Sequence, residues 1–296
     1  MELSIPYQLI GPDGTRIVVG NGSGATDDVD WVGYINPDQG ISGLDGAEVR
    51  ESADNLVEAD GGIHGSFYEG RRSVVLNFDL DPGRYGPDTA ALERRVKRAS
   101  RALREDALLR WTPSDIGLEL ELRLRRQGRV SITGRHPKQV QIPMVAEDPI
   151  KRTSSEAQQT LTPDTSAGVL GFTSPITSPI ETELAPTGQA LVENQGDVEA
   201  IPRFKITGPI TNPELINSTT EQRIKLLYTL GAGEELFIDA GRKTVLLGGT
   251  ADRFGAVVYP DSKWWRLQPG SNDVRLLAAA YSAGAELVVY WRHAYE

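Results

Sequence analysis

From about Ala190 to the C-terminus the chain is a succession of short runs rich in β-branched and aliphatic residues, broken by turn residues. The runs ALVENQG, AIPRFKITGPI, PELINSTT, QRIKLLYTL, EELFIDAG, KTVLLGG, KWWRLQPG, DVRLLAAAY and AELVVYWRHAY follow one another without a helical period between them. Turns spaced about every 8–12 residues leave no room for long helices. Such a chain buries its apolar side chains by pairing strands into a sandwich or barrel.

The N-terminal half carries the same signature less regularly. YQLIGPDGTRIVVG places two β-rich runs around Pro12-Asp13-Gly14, a hairpin pattern. In SVVLNFDL, Val74, Leu76, Phe78 and Leu80 share one face, with Val75, Asn77 and Asp79 on the other. Farther on, Leu118, Leu120, Leu122 and Leu124 form an apolar face. Glu119, Glu121, Arg123 and Arg125 point to water or a partner. Asp60-Gly61-Gly62 marks another turn, and Asp148-Pro149 a strand end.

One segment breaks the β pattern. PDTAALERRVKRASRALRED predicts a helix over 89–105, with Asp88 or Thr89 as N-cap and Leu92, Val96, Ala99 and Leu103 at helical spacing. Its other face carries Arg94, Arg95, Lys97, Arg98, Arg101 and Arg104. These cations suit a solvated face, phosphate, or acidic loops of a neighbouring subunit. The expected organisation is a first domain over 1–150, a Ser/Thr/Pro-rich linker or arm, or further strands of the second domain, over 151–189, and a β-sandwich domain over 190–296.

Chemistry is sparse. No cysteine is present, which removes disulfides, thiolate metal sites and cysteine nucleophiles together. His64, His136 and His293 are far apart and none has metal-ligand spacing. No Gly-x-Ser-x-Gly elbow or phosphate-binding glycine loop is present, since GNGSG near Gly20, Gly22 and Gly24 is not followed by a helix. The acidic pairs Asp27-Asp28 and Glu234-Glu235 read as solvated carboxylates, and Asn21 and Asn217 match the glycosylation pattern as chance does. No enzyme, metal or cofactor is expected. A net charge of −10 disfavours a dedicated nucleic-acid binder. No apolar run approaches the roughly 20 residues that span a bilayer, and the first residues lack a Sec signal, so assembly in a cytoplasm is expected.

Trp264 and Trp265 stand before Pro269-Gly270. In a strand, adjacent residues face opposite ways, so one indole is expected in the core and the other on an edge or against a partner. Alternation leaves open which is which.

In order along the chain, these elements resemble the siphophage distal tail (Dit-like) proteins. Trp265, Leu267, Pro269, Gly270 and Asn272 supply a Trp–x–Leu–x–Pro–Gly–x–Asn element. Before it come the Asn194–Gly196 turn, Pro202, Gly208 and the NST run. The N-terminal half adds GLDGAEVR, GRRSVVLNFDL, the helix and VAEDPI. The resemblance implies a mainly β fold: an N-terminal split β-barrel with one α-helix, and a C-terminal galectin-like β-sandwich of jelly-roll type. It implies a virion structural protein of the tail tip, a homo-hexameric ring acting as baseplate hub.

The partners so implied are the tail tube protein, a tail-associated lysin, fibre or hub protein, and further the tape measure and receptor-binding proteins. DNA would pass through the lumen without specific binding, and no membrane is involved. Ring closure needs two different faces of one subunit to meet. Arg94, Arg95, Arg98 and Arg101 are candidates for it, with Glu119, Glu121, Arg123 and Arg125. An acidic lumen would repel DNA. Trp264, Trp265, Pro269, Gly270 and Asn272 are candidates for fold or partner contact. The fragment TNPELI lacks the His and Arg partners of sugar-binding galectins, so the fold name alone implies no glycan. Two rivals stand beside this reading: a carbohydrate-binding adhesin module using surface Trp residues on host cell wall, and a cell-wall hydrolase.

Overall fold

A computed structural model of the chain describes residues 7–20, 30–36, 38–47, 49–55, 62–80, 90–134, 137–165 and 188–296. The polypeptide divides into two compact units, Met1–Ser154 with Glu296, and Ser155–Tyr295. The fold is mainly β, as expected, with one α-helix among the described residues.

The first unit contains β1 (Tyr7–Ile10), β2 (Arg16–Gly20), β3 (Trp31–Ile35), β4 (Ile41–Ser42), β5 (Val49–Asn55), β6 (Gly62–Glu69) and β7 (Arg72–Leu80). After α1 (Ala90–Ala102) come β8 (Ala107–Trp111), β9 (Leu120–Arg126), β10 (Ser131–Thr133), β11 (Gln139–Ala146) and β12 (Lys151–Thr153). The hairpin around Pro12-Asp13-Gly14 forms as predicted, with Gly14 in the left-handed region at φ 78° and Asp13 accepting from the Thr15 N–H. Seven strands close into a barrel in the order β1-β2-β3-β7-β11-β9-β8 and back to β1. Only β2–β3 is parallel. β5 and β6 pair with each other as a separate hairpin; the Asp60-Gly61-Gly62 turn reaches into residues outside those described.

Alternation fills the barrel. Val74, Leu76, Phe78 and Leu80 of β7 and Leu120, Leu122 and Leu124 of β9 are buried, whereas Glu119, Arg123 and Arg125 are exposed. Closure demands one close approach: at Gly33 a Cβ would lie 1.9 Å from the Asp79 carbonyl oxygen, so only glycine fits there. α1 lies within the predicted 89–105 and ends at Ala102. Leu92, Val96, Ala99 and Leu103 are all buried, at the spacing read from the sequence. Its expected N-cap, Asp88 or Thr89, lies outside the described residues.

The second unit contains β13 (Ala157–Leu161), β14 (Asp164–Thr165), β15 (Gln189–Asn194), β16 (Arg203–Thr207), β17 (Ile210–Thr211), β18 (Glu214–Asn217), β19 (Gln222–Lys225) and β20 (Thr229–Leu230). These are followed by β21 (Glu235–Asp239), β22 (Thr244–Leu247), β23 (Ala251–Asp252), β24 (Gly270–Ala278), β25 (Ala280–Tyr281) and β26 (Glu286–Trp291). One sheet runs β13-β26-β16-β21-β22-β23, and a second runs β14-β24-β18-β19 with β15 also on β24. Phe204, Ile206, Leu236 and Val289 of the first sheet are buried, as are Val192, Leu215, Ile224 and Leu276 of the second. The core of a sandwich is made this way.

Two local points are sharpened. Within the 151–189 segment, Lys151–Thr153, Ala157–Leu161 and Asp164–Thr165 are strands: β12 pairs with β9, β13 with β26, and β14 runs parallel to β24. Backbone N–H and C=O groups in this stretch find ladder partners, which a free linker would lack. Residues 166–187 lie outside those described. The KWW segment is not a strand. Around it Leu267 makes an isolated bridge with Ala200, and the strand proper starts at Gly270, the second residue of the turn.

Candidate functional site

Among the described residues no group of three or more His, Asp and Glu side chains could hold a metal ion. The polar residues singled out from the sequence have local structural duties. Glu234 accepts the Gly231 N–H at 2.7 Å, and Glu235 pairs with Lys205 at 3.2 Å. Asn217 is fully buried and its amide bonds the Arg266 carbonyl, so it offers no surface acceptor for a glycan. Asn21, Asp27, Asp28 and His136 lie outside the described residues, as do Gly22 and Gly24.

His293 accepts the Gln195 N–H through Nδ1 at 3.0 Å and meets Trp291 edge-on. Burial lowers its pKa below the ordinary value, opposed by nearby Glu193. The sign follows: as pH falls through the unfolded value near 6.5 the unfolded chain takes up the proton first. Stability present above that pH is then lost down to the lower folded pKa. We expect the urea midpoint of the second unit to fall as the pH is lowered through about 6.5. His293→Gln, which keeps an acceptor and cannot be protonated, should flatten that component of the slope. An unchanged slope would remove His293 from the account.

The tryptophans part company. Trp265 is 1% exposed, meets Phe204 edge-on at 4.9 Å, and its Nε1–H reaches the Leu215 carbonyl at 3.4 Å. It therefore joins the two sheets from inside. Trp264 is half-buried at the surface. Its Nε1–H donates to the Tyr259 hydroxyl at 2.8 Å, and its ring lies parallel to Phe254 at 6.5 Å. Phe254 and Tyr259 are exposed beside it. No sequence period marked Phe254 and Tyr259 as companions of Trp264; only the fold brings them together.

Asn272 is fully buried, donating to the carbonyls of Gln268 (2.8 Å) and Gly270 (3.1 Å) and accepting the Gln268 N–H (2.8 Å). It thereby fastens the Pro269-Gly270 turn, in which Gly270 has φ 83° and Pro269 is exposed. On the outer face of the six-stranded sheet a groove of about 400 Å³ is bordered by Phe237 and Tyr290. Its charges are committed: Arg203 pairs with Glu156, and Asp239 accepts the Gly241 and Arg242 N–H groups.

A strongly basic concavity lies in the first unit. A groove of about 530 Å³ runs between α1 and the β1–β2 turn, lined by Arg16, Asp30, Arg94, Arg95 and Arg98 among others. The Asp30 carboxylate sits between two guanidiniums, with Arg16 Nε at 3.1 Å and Arg95 on its other oxygen. Arg94 and Arg98, one helical turn apart, are exposed and have no ion pair among the described residues. Arg16 and Asp30 are parts of this site that sequence reading missed, because neither has periodicity with the helix.

Of the remaining interface candidates, Arg101 and Arg123 are exposed, Glu121 pairs with Arg110 at 3.2 Å, and Arg125 pairs with Glu147. Glu119 is exposed in the β8–β9 turn, just before β9.

Comparison with known proteins gives this arrangement its context. Residues 195–295 match the family model of the siphovirus-type tail component, C-terminal domain. The chain is similar to the crystal structure of SPP1 Dit (gp 19.1), described as a paradigm of the hub adsorption apparatus in phages infecting Gram-positive bacteria. That match has TM-score 0.65 and 14% identity, covering 96% of this chain and 98% of that one. A chain in the activated phage p2 baseplate with Sr gives TM-score 0.48 and 13% identity, covering 97% of both. No curated protein sequence matches significantly. The resemblance to siphophage distal tail proteins is borne out by the family model and by the fold shared with SPP1 Dit.

Proposed function

We propose that this chain is a structural subunit of a siphophage tail tip, a distal tail protein that closes into a ring joining the tail tube to the adsorption apparatus. The observation that carries this reading is the coincidence of the tail-component match over 195–295 with a hub-protein fold over 96% of the chain. In this reading the barrel unit forms the homo-hexameric ring. The sandwich unit, galectin-like in type, presents surfaces to other baseplate proteins. DNA passes through the lumen, and the protein resides in the virion after assembly in the host cytoplasm. The work is assembly, which requires complementary surfaces and no reacting group.

Native mass measurement and negative-stain images should show closed rings of the purified chain, or rings formed on mixing it with its tail tube protein. A chain that stays monomeric and binds no tail protein would overturn the reading. A second reading, the carbohydrate-binding adhesin module, has one observation in its favour: the surface cluster of exposed Phe254 and Tyr259 with half-buried Trp264. Saturable glycan binding abolished by Trp264→Ala would favour it over the first.

A further inference from the structure

We infer that the groove between α1 and the β1–β2 turn is a socket for carboxylates of a second copy of this chain, and that the β8–β9 turn of that copy supplies them. The inference rests on the reading of the chain as a self-assembling tail subunit and gives that assembly a specific contact.

Two facts argue for carboxylates as the ligand. The groove already holds one, since Asp30 is gripped by Arg16 and Arg95. Guanidinium groups match carboxylates in shape as well as charge. Beyond that internal pair, Arg94 and Arg98 still offer unshared charge on the groove wall. A polyphosphate backbone would meet the same arginines, but it would also meet a chain of net charge −10. An acidic chain with a concentrated basic groove is complementary to itself.

Strand register identifies the other half of the contact. Ile10 lies opposite both Arg16 and Leu108, so the β1–β2 turn and the start of β8 share one end of the barrel. Trp111 lies opposite Leu120, so the β8–β9 turn is at the other end. That turn exposes Asp115 and Glu119, which have no ion pair among the described residues. A basic groove at one end and two unshared carboxylates at the other are what a head-to-tail contact between identical chains needs.

The test is a charge exchange on the full chain. Arg94→Glu with Arg98→Glu should raise the concentration for half-assembly by about tenfold or more, and Asp115→Arg with Glu119→Arg should do the same. All four changes in one chain should restore assembly, because each copy then offers reversed but complementary faces. All these side chains are exposed, so the variants should keep the wild-type far-UV circular dichroism. If the reversed pair misfolds, Arg94→Gln with Arg98→Gln serves instead.

Wild-type rings unaffected by the groove substitutions, or no rescue in the fourfold variant, would overturn this contact and leave the tail-tip reading intact. A wild-type chain that never assembles would overturn both. Binding of double-stranded DNA lost in the groove variant, or a lower Tm with unchanged assembly, would also overturn the contact. The first result would assign the groove to phosphates, the second to a contact within the chain.

Discussion

Replacing Trp265 by alanine should lower the stability of the second unit by about 3–5 kcal/mol, the range for deleting a large buried aromatic. Replacing Trp264 should cost about 1 kcal/mol or less. The asymmetry comes from what each indole touches. Trp265 fills the space between the sheets, edge-on to Phe204 of β16 and bonded to the Leu215 carbonyl of β18, so its removal leaves a cavity and loses a hydrogen bond. Trp264 loses a surface stack and one hydrogen bond to Tyr259, and water can replace the latter. Urea titration followed by far-UV circular dichroism measures both. Equal losses would mean that Trp265 does not tie the sheets together. A small loss at Trp264 would also leave it available for the partner or glycan tests without damage to the fold.

The tryptophan pair shows what local sequence rules can and cannot supply. Opposite orientation was predictable, and the two indoles do differ in burial, but the segment is not a strand. The side chains are placed by long-range contacts: Ser262 bonds the Lys225 backbone before the pair, and Asn217 and Asn272 anchor the backbone after it, at Arg266 and at Gln268 to Gly270.

Where one face simply repeats, reading was direct. The inward side chains of β7 and β9 and the buried stripe of α1 lie where period 2 and period 3.6 put them. Barrel closure was not legible, because β11 meets β9 through only Met144–Arg126 and Val145–Arg125, pairs that no local pattern announces. The basic groove was half legible. The helix advertised its arginines, but Arg95 spends its charge on Asp30, 65 residues earlier, and that division into shared and unshared cations exists only in the fold.

Arg72→Met should destabilise the first unit by about 2–3 kcal/mol, whereas the same change at its neighbour Arg71 should cost about 1 kcal/mol or less. Arg72 is in phase with Val74, Leu76, Phe78 and Leu80, so strand alternation turns a guanidinium inward; it is 0% exposed. Inside, its Nε donates to the Pro149 carbonyl at 2.9 Å, and Nη1 donates to the carbonyls of Leu44 (2.8 Å) and Gly43 (3.4 Å). The loop after β4 is thus fastened to the segment before β12.

Gly43 reaches this position with φ 85°, and a Cβ there would stand 1.8 Å from the Ser73 carbonyl oxygen. The loop therefore presents its carbonyls to Arg72 only because residue 43 is glycine. Methionine fills similar volume but donates nothing, so the carbonyls lose a charged donor inside the protein. Lysine has one compact donor group in place of a planar fork and cannot span both loops, so Arg72→Lys should recover less than half of the loss. Arg71, half exposed and paired with Glu147 at 2.8 Å, exchanges its partner for water when removed. Denaturant midpoints of the three variants decide the matter. If Arg71→Met and Arg72→Met cost the same, the buried guanidinium is not what joins the loops.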